Sequence, residues 1–223
     1  MDVAVVRDKA PMLLDWRLIE GALFEDMAML WNEAVSNQPD DREAFGDERI
    51  GPKKFYVLTR SAIRAAFALL EGYLNGIAVD VMDTRGEVTT RERELLLEIR
   101  GPEERFAPLK LRDKILQYPK IALREDYPRF QENNCPEMAE VLIFERQLRD
   151  ALMHPTQRRE AGRELTREEQ YFRADLDTTR RIVDAVVGLI RRIDAELDGL
   201  FGRVSVWMFD RAADDKYPDE TFH

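Results

Sequence analysis

The sequence has little of what staples or chelates a small protein. Its 223 residues include a single cysteine, Cys135, and two histidines, His154 and His223. One cysteine excludes an intramolecular disulfide, and no cysteine and histidine cluster has zinc spacing, so neither a metal nor a cofactor is expected. No uninterrupted apolar run approaches the roughly 20 residues of a membrane span. The opening residues Met1-Asp2-Val3-Ala4-Val5-Val6-Arg7-Asp8 also lack a basic stretch leading into a long apolar one. Together these absences predict a cytoplasmic protein of a reducing compartment, with no membrane partner. Missing as well are a Gly-rich phosphate loop, a Ser-His-Asp arrangement, an HExxH motif, a fixed-period repeat and any alternating pattern long enough for a sheet.

What is present is charge and helical periodicity. The net charge of -10 argues against a broad, sequence-blind nucleic-acid coat, because that kind of binding is driven by neutralising phosphates. A local site is compatible with it. Between Arg146 and Arg167 stand six arginines against three acids, a balance of +3 in an acidic chain. A solvated loop would explain that run as well as a phosphate contact would.

Hydrophobic residues make up 44% of the chain, enough for a core, and their spacing predicts an all-α fold. The expected architecture is an antiparallel bundle of about five to six helices. Trp16 to Val35 carries a stripe at Leu18, Ile19, Leu23, Met27, Leu30 and Trp31. Lys53 to about Val81 carries another at Phe55, Leu58, Ile63, Phe67, Leu70, Leu74, Ile77 and Val81. Arg64 and Glu71 lie near that face, where surface or ion-pair roles are the simpler reading.

Thr89 and Glu92 form a capping-box pattern ahead of Leu95 to Ile99, closed by Gly101-Pro102. A further helix is expected from Pro102 to Tyr118-Pro119 through Phe106, Leu109, Ile115 and Leu116, followed by a long loop to Asn134. Cys135-Pro136 opens the next helix, with Met138, Val141, Leu142, Phe144, Leu148 and Leu152 on one side. A second capping box at Thr166 and Glu169 predicts one helix of about 32 residues, on which Gly188 could place a bend. The domains expected are an N-terminal helical extension (1–53), a helical bundle (54–200), and an apolar strap, Val204 to Phe209, with an acidic tail (201–223). The acids Glu92, Glu94, Glu98, Glu103 and Glu104 lack the Glu-x-x-His partners of a carboxylate-bridged metal centre.

The most informative run is Arg149-Asp150-Ala151-Leu152-Met153-His154-Pro155. Pro155 disfavours helical geometry at His154, which places the imidazole at a helix end, near free carbonyls and the negative end of the dipole. Asp150, four residues before His154, shares its face and can orient the ring. Arg149, five before, reaches the same patch if the helix end unwinds or a second copy packs beside it. Such a cluster suits phosphoryl chemistry without metal: His154 moves a proton while Arg149 binds the phosphate and its developing charge.

This run resembles the hallmark of the HEPN (higher eukaryotes and prokaryotes nucleotide-binding) superfamily, an Arg followed by Asn, Asp or His and then by His four to six positions on. Arg149, Asp150 and His154 match it, with Pro155 next in the chain as in many members, and Ser61 to Asn75 is similar to the family's first core helix. The likeness covers about residues 54 to 200. It implies a helical bundle, homodimers with paired motifs and, in many members, metal-independent endoribonuclease activity. It also implies a toxin or defence setting, often with an antitoxin protein as partner. RNA rather than DNA is then the expected substrate, with Arg149, Asp150 and His154 as catalytic residues and Arg146, Arg158 and Arg159 as substrate contacts. Two other readings fit the same residues: a non-catalytic module of the same kind that binds nucleotide, RNA or a protein, and a purely structural bundle in which Arg149 pairs with Glu145 or Asp150 while His154 caps carbonyls.

Overall fold

The computed structural model describes residues 16–39, 51–85, 87–149, 152, 174–197 and 200. Among the described residues six α-helices pack against one another: α1 (Trp16–Ser36), α2 (Gly51–Thr84), α3 (Thr90–Leu96), α4 (Leu111–Leu123), α5 (Pro136–Phe144) and α6 (Leu176–Leu197). The 34-residue α2 is the axis of the bundle, touched by α1, α4 and α6, and α5 lies against α6. Its stripe explains why: Phe55, Ile63, Phe67, Leu70, Leu74, Ile77 and Val81 recur at helical spacing and are all buried. Each such side chain contributes roughly 1.5–3 kcal/mol when removed from water. By length and composition Lys54–Thr84 could also cross a membrane, contrary to the expectation from apolar runs alone, but 61% of its most apolar window is buried in the bundle.

Small residues and charge pairs set the fit between helices. A Cβ on Gly72 of α2 would come within 2.7 Å of Leu23 Cδ1 on α1, and one on Gly188 of α6 within 3.2 Å of Glu137 Cγ on α5. Gly188 therefore marks a close helix crossing. The Tyr73 hydroxyl on α2 donates to Asp194 on α6, and Arg180 of α6 lies over the Trp31 ring of α1 at 5.8 Å.

Outside the α5 segment, three stretches differ from the sequence-based expectation. Residues 102–106 do not begin a helix; Ile99–Arg100 (β1) and Arg105–Phe106 (β2) form a two-residue antiparallel hairpin, with Phe106 exposed rather than in a core stripe. Gly101 and Glu104 turn it with positive φ of 72° and 47°. Pro108 keeps its predecessor out of helical geometry, so α4 waits until Leu111. α4 then continues through the buried Pro119, which forfeits one N–H bond but not the helix. It ends where Arg124 turns left-handed and the N–H groups of Arg124 and Glu125 close on the carbonyls of Ile121 and Lys120 at 3.2 and 3.1 Å. The third difference is α6. Ala174 and Asp175 are not helical, so no single helix runs from Thr166 to Leu197. Asp175 opens α6 instead, its carboxylate accepting from Thr178 N–H at 2.8 Å.

Candidate functional site

The candidate site grows from α5. Cys135 precedes it as N-cap and Pro136 takes its first position, where the missing N–H costs nothing. Met138, Val141, Leu142, Phe144, Leu148 and Leu152, the stripe read from the sequence, are all buried. The opposite flank is pinned to α6: Arg192 meets Glu137 at 3.1 Å, and Arg181 pairs with Glu140 while its guanidinium lies 5.1 Å from the Phe144 ring centre. Burial pushes the Cys135 thiol up, so it stays protonated beside Glu137.

Beyond Phe144 the winding changes. Glu145–Arg149 form a π-helical turn, where a continuous α-helix was expected. The wider turn inserts a residue into the helix and rephases the side chains beyond it. Leu148 and Leu152 nevertheless both reach the core. Arg146, expected as a substrate contact, is exposed and folds back so that its Nε donates to Leu142 O at 3.1 Å.

One residue that the sequence places near a helix surface reaches the stretch beyond this turn. Arg64 Nη2, on α2, donates to the carbonyl oxygen of Leu152 at 2.5 Å. A guanidinium donating to a backbone carbonyl makes a charge-assisted hydrogen bond. Nothing in the local sequence signals a contact between residues 88 positions apart. The Arg149 side chain, Asp150, His154, Arg158 and Arg159 lie outside the described residues, as do the second capping box and the apolar segment 204–209.

Sequence reasoning missed a second polar cluster. Lys114 on α4, buried, pairs with Glu98 and donates to Asn75 Oδ1 on α2 at 3.1 Å. Glu98 Oε2 also accepts from Leu109 N–H at 2.9 Å, and the Tyr118 hydroxyl donates to Leu95 O at 3.3 Å. Burial, with Glu98 nearby, pushes the Tyr118 hydroxyl well above its ordinary value. These bonds tie the hairpin to α2 and α4. Each of the five acids from Glu92 to Glu104 considered for a metal is held by a protein donor: Thr89, Gly101 N–H, Lys114, Arg105 and Arg93 in turn. Among the described residues no group of three or more His, Cys, Asp or Glu could hold a metal ion.

Compared with protein-family models, with curated proteins and with solved structures, the chain matches none of them.

Proposed function

We propose that this protein is a HEPN-like, metal-independent endoribonuclease whose site is the end of the α5 segment. Arg149 and Arg64 supply positive charge there, and His154 moves the proton. The observation that carries the reading is the Arg64 contact on Leu152 O, which brings a second guanidinium to the backbone three residues along the chain from Arg149. The π-helical turn supports it, since such turns are often retained at functional positions.

In the reaction the 2′-hydroxyl of RNA attacks the adjacent phosphorus, His154 takes its proton, and the 5′-oxygen leaves with a proton as the cyclic phosphate forms. Arginine stabilises the charge gathering on the phosphoryl oxygens. Asp150, four residues from His154, orients the imidazole. A homodimer would place two motifs in one cleft and supply the second proton-transfer group, and an antitoxin would be the natural partner of such an activity.

The test is incubation of the purified protein with RNA in EDTA. Cleavage that is lost in His154→Ala and in Arg149→Ala, with both variants folded, is the expected result. Intact RNA with the wild type, or equal cleavage by His154→Ala, overturns the reading; intact RNA that is nevertheless bound points to a non-catalytic binding module.

A further inference from the structure

The outer side of the α1–α2 pair is open among the described residues. Its inner side is not: α1 buries Phe24, Met27 and Trp31, and α2 buries Phe55, Ile63 and Ala66. On the outer side Lys54 Nζ of α2 meets Glu33 Oε2 of α1 at 3.4 Å, with more than half of each side chain exposed. The contacts of Glu33 with Lys54 and of Leu23 with the Gly72 position show that the two helices run antiparallel. Met29 lies one turn before Glu33, and Val57 about one turn after Lys54, so both stand at one level beside the charge pair. Met29 is 57% exposed and Val57 53%. Further along that side α2 presents Ser61, Ala65 and Ala68, small residues that let a facing helix come close.

Charge is divided between the two helices. α1 is acidic, with Arg17 its one cation and with Asp26 and Glu33 exposed on the outer side. α2 carries no acid before Glu71, and Lys54 and Arg64 are exposed on its outer side. A two-fold axis parallel to the helices lays α1 of one copy on α2 of the other. Glu33 of each copy then meets the partner's Lys54, and Met29 of each meets the partner's Val57. The two-fold across the helices instead stacks α1 on α1 and sets acid against acid. A foreign protein would have to bring an acidic and a basic strip in this order, whereas a second copy carries both. The face is about 30 Å long and about 20 Å wide, from ~1.5 Å per residue and ~10 Å per helix, or about 600 Å² of plane. That is of the order of the roughly 800 Å² per partner in a stable complex.

We propose that the outer side of α1 and α2 is the interface of a homodimer in which α1 of each copy packs on α2 of the other, an antiparallel four-helix arrangement. Arg64 is seven residues from Val57, hence on the same side of α2, and it donates to Leu152 O. The backbone at Leu152 therefore borders the interface in both copies. The bearing of that closeness on a shared cleft rests on the ribonuclease reading. The interface itself does not, since α1 precedes residues 54 to 200, the stretch on which that reading's likeness stands.

Sedimentation equilibrium of the full chain over a concentration series should show a species of twice the 26.1 kDa chain mass. Glu33→Lys alone and Lys54→Glu alone each set like charges together across the interface, and each should weaken dimerisation about 100-fold. Mixed in equal amounts, the two variants should form a heterodimer, because the new lysine of one faces the new glutamate of the other. Within each chain the pair stays repulsive, so recovery on mixing reads the contact between copies alone. Met29→Asp should also give a monomer, and because Met29 is exposed its far-UV circular dichroism should match the wild type. A monomer throughout the series overturns the proposal, whether the face is then covered by another part of this chain or by a different protein. So does a dimer that none of the three substitutions weakens, or a mixture that forms no heterodimer. RNA cleavage by a wild type that stays monomeric removes this interface and leaves the ribonuclease reading standing. Recovery of the heterodimer in a protein that leaves RNA intact does the reverse.

Discussion

Arg64 of α2 donates to the backbone carbonyl of Leu152 at 2.5 Å, and through that bond the central helix of the bundle holds the backbone three residues beyond Arg149. Removing the guanidinium leaves the Leu152 carbonyl without this donor. Arg64→Ala should therefore cost about 1 kcal/mol, the usual net value of such a bond. It should appear as a lower urea midpoint with an unchanged m-value. An unshifted midpoint would show that the contact does not add to stability.

The Lys114 and Glu98 pair predicts a larger effect. Both side chains are nearly sealed from water, at 8% and 14% exposure, so removing one charge strands the other. Lys114→Met should cost about 3–5 kcal/mol. Adding Glu98→Gln to Lys114→Met should recover much of the loss, because no unpaired charge then remains. Denaturant unfolding of the two single variants and the double gives the coupling directly.

At acid pH the capping box of α3 should fail. Thr89 Oγ1 accepts from Glu92 N–H at 3.2 Å, and the Glu92 carboxylate accepts from Thr89 N–H at 2.8 Å. Hydrogen bonds from the Thr89 side chain, then its backbone, hold the Glu92 carboxyl below its ordinary value of 4.5. A depressed folded value means stability that is present above the unfolded value and lost as pH falls through the folded one. Thr89→Ala should cost about 1 kcal/mol at neutral pH and flatten the acid limb of the stability profile below about pH 4.5.

Tyr118 predicts the opposite limb. Its hydroxyl is raised above the ordinary 10.0 chiefly by burial, so the folded state favours the protonated form. The corresponding stability is complete below the unfolded value and is lost as pH rises from about 10 toward the folded one. Absorbance titration of tyrosinate should show a difference between the native and unfolded protein to which Tyr118 contributes. Tyr118→Phe should reduce that difference and weaken the alkaline dependence of stability.

Much of the helical framework was legible because it depends on near neighbours. The stripes of α2 and α5, the proline that opens α5 and the Thr89 to Glu92 capping box each lie within a few residues, and each is found as read. The all-α expectation holds for the same reason. The misreadings have local causes that compete with one another. Pro102 with two acids after it looked like a helix start, but Pro108 forbids the continuation and the left-handed Gly101 makes a hairpin turn. Thr166 and Glu169 looked like the start of the last helix, yet Asp175 caps α6 nine residues further on.

The candidate site was legible as residue types. Its composition as a place was not. The sequence by itself determined that apolar residues recur at helical spacing, that Pro136 begins a helix, and that Arg149, Asp150 and His154 fall within six positions. Only the tertiary structure decided that Arg64 reaches Leu152, that Lys114 neutralises Glu98, and that Arg100 faces Arg105 beside an exposed Phe106. The physical reason is range: propensity and capping act between neighbours along the chain, whereas the pairing of distant charges depends on which helix faces the burial of apolar surface brings together.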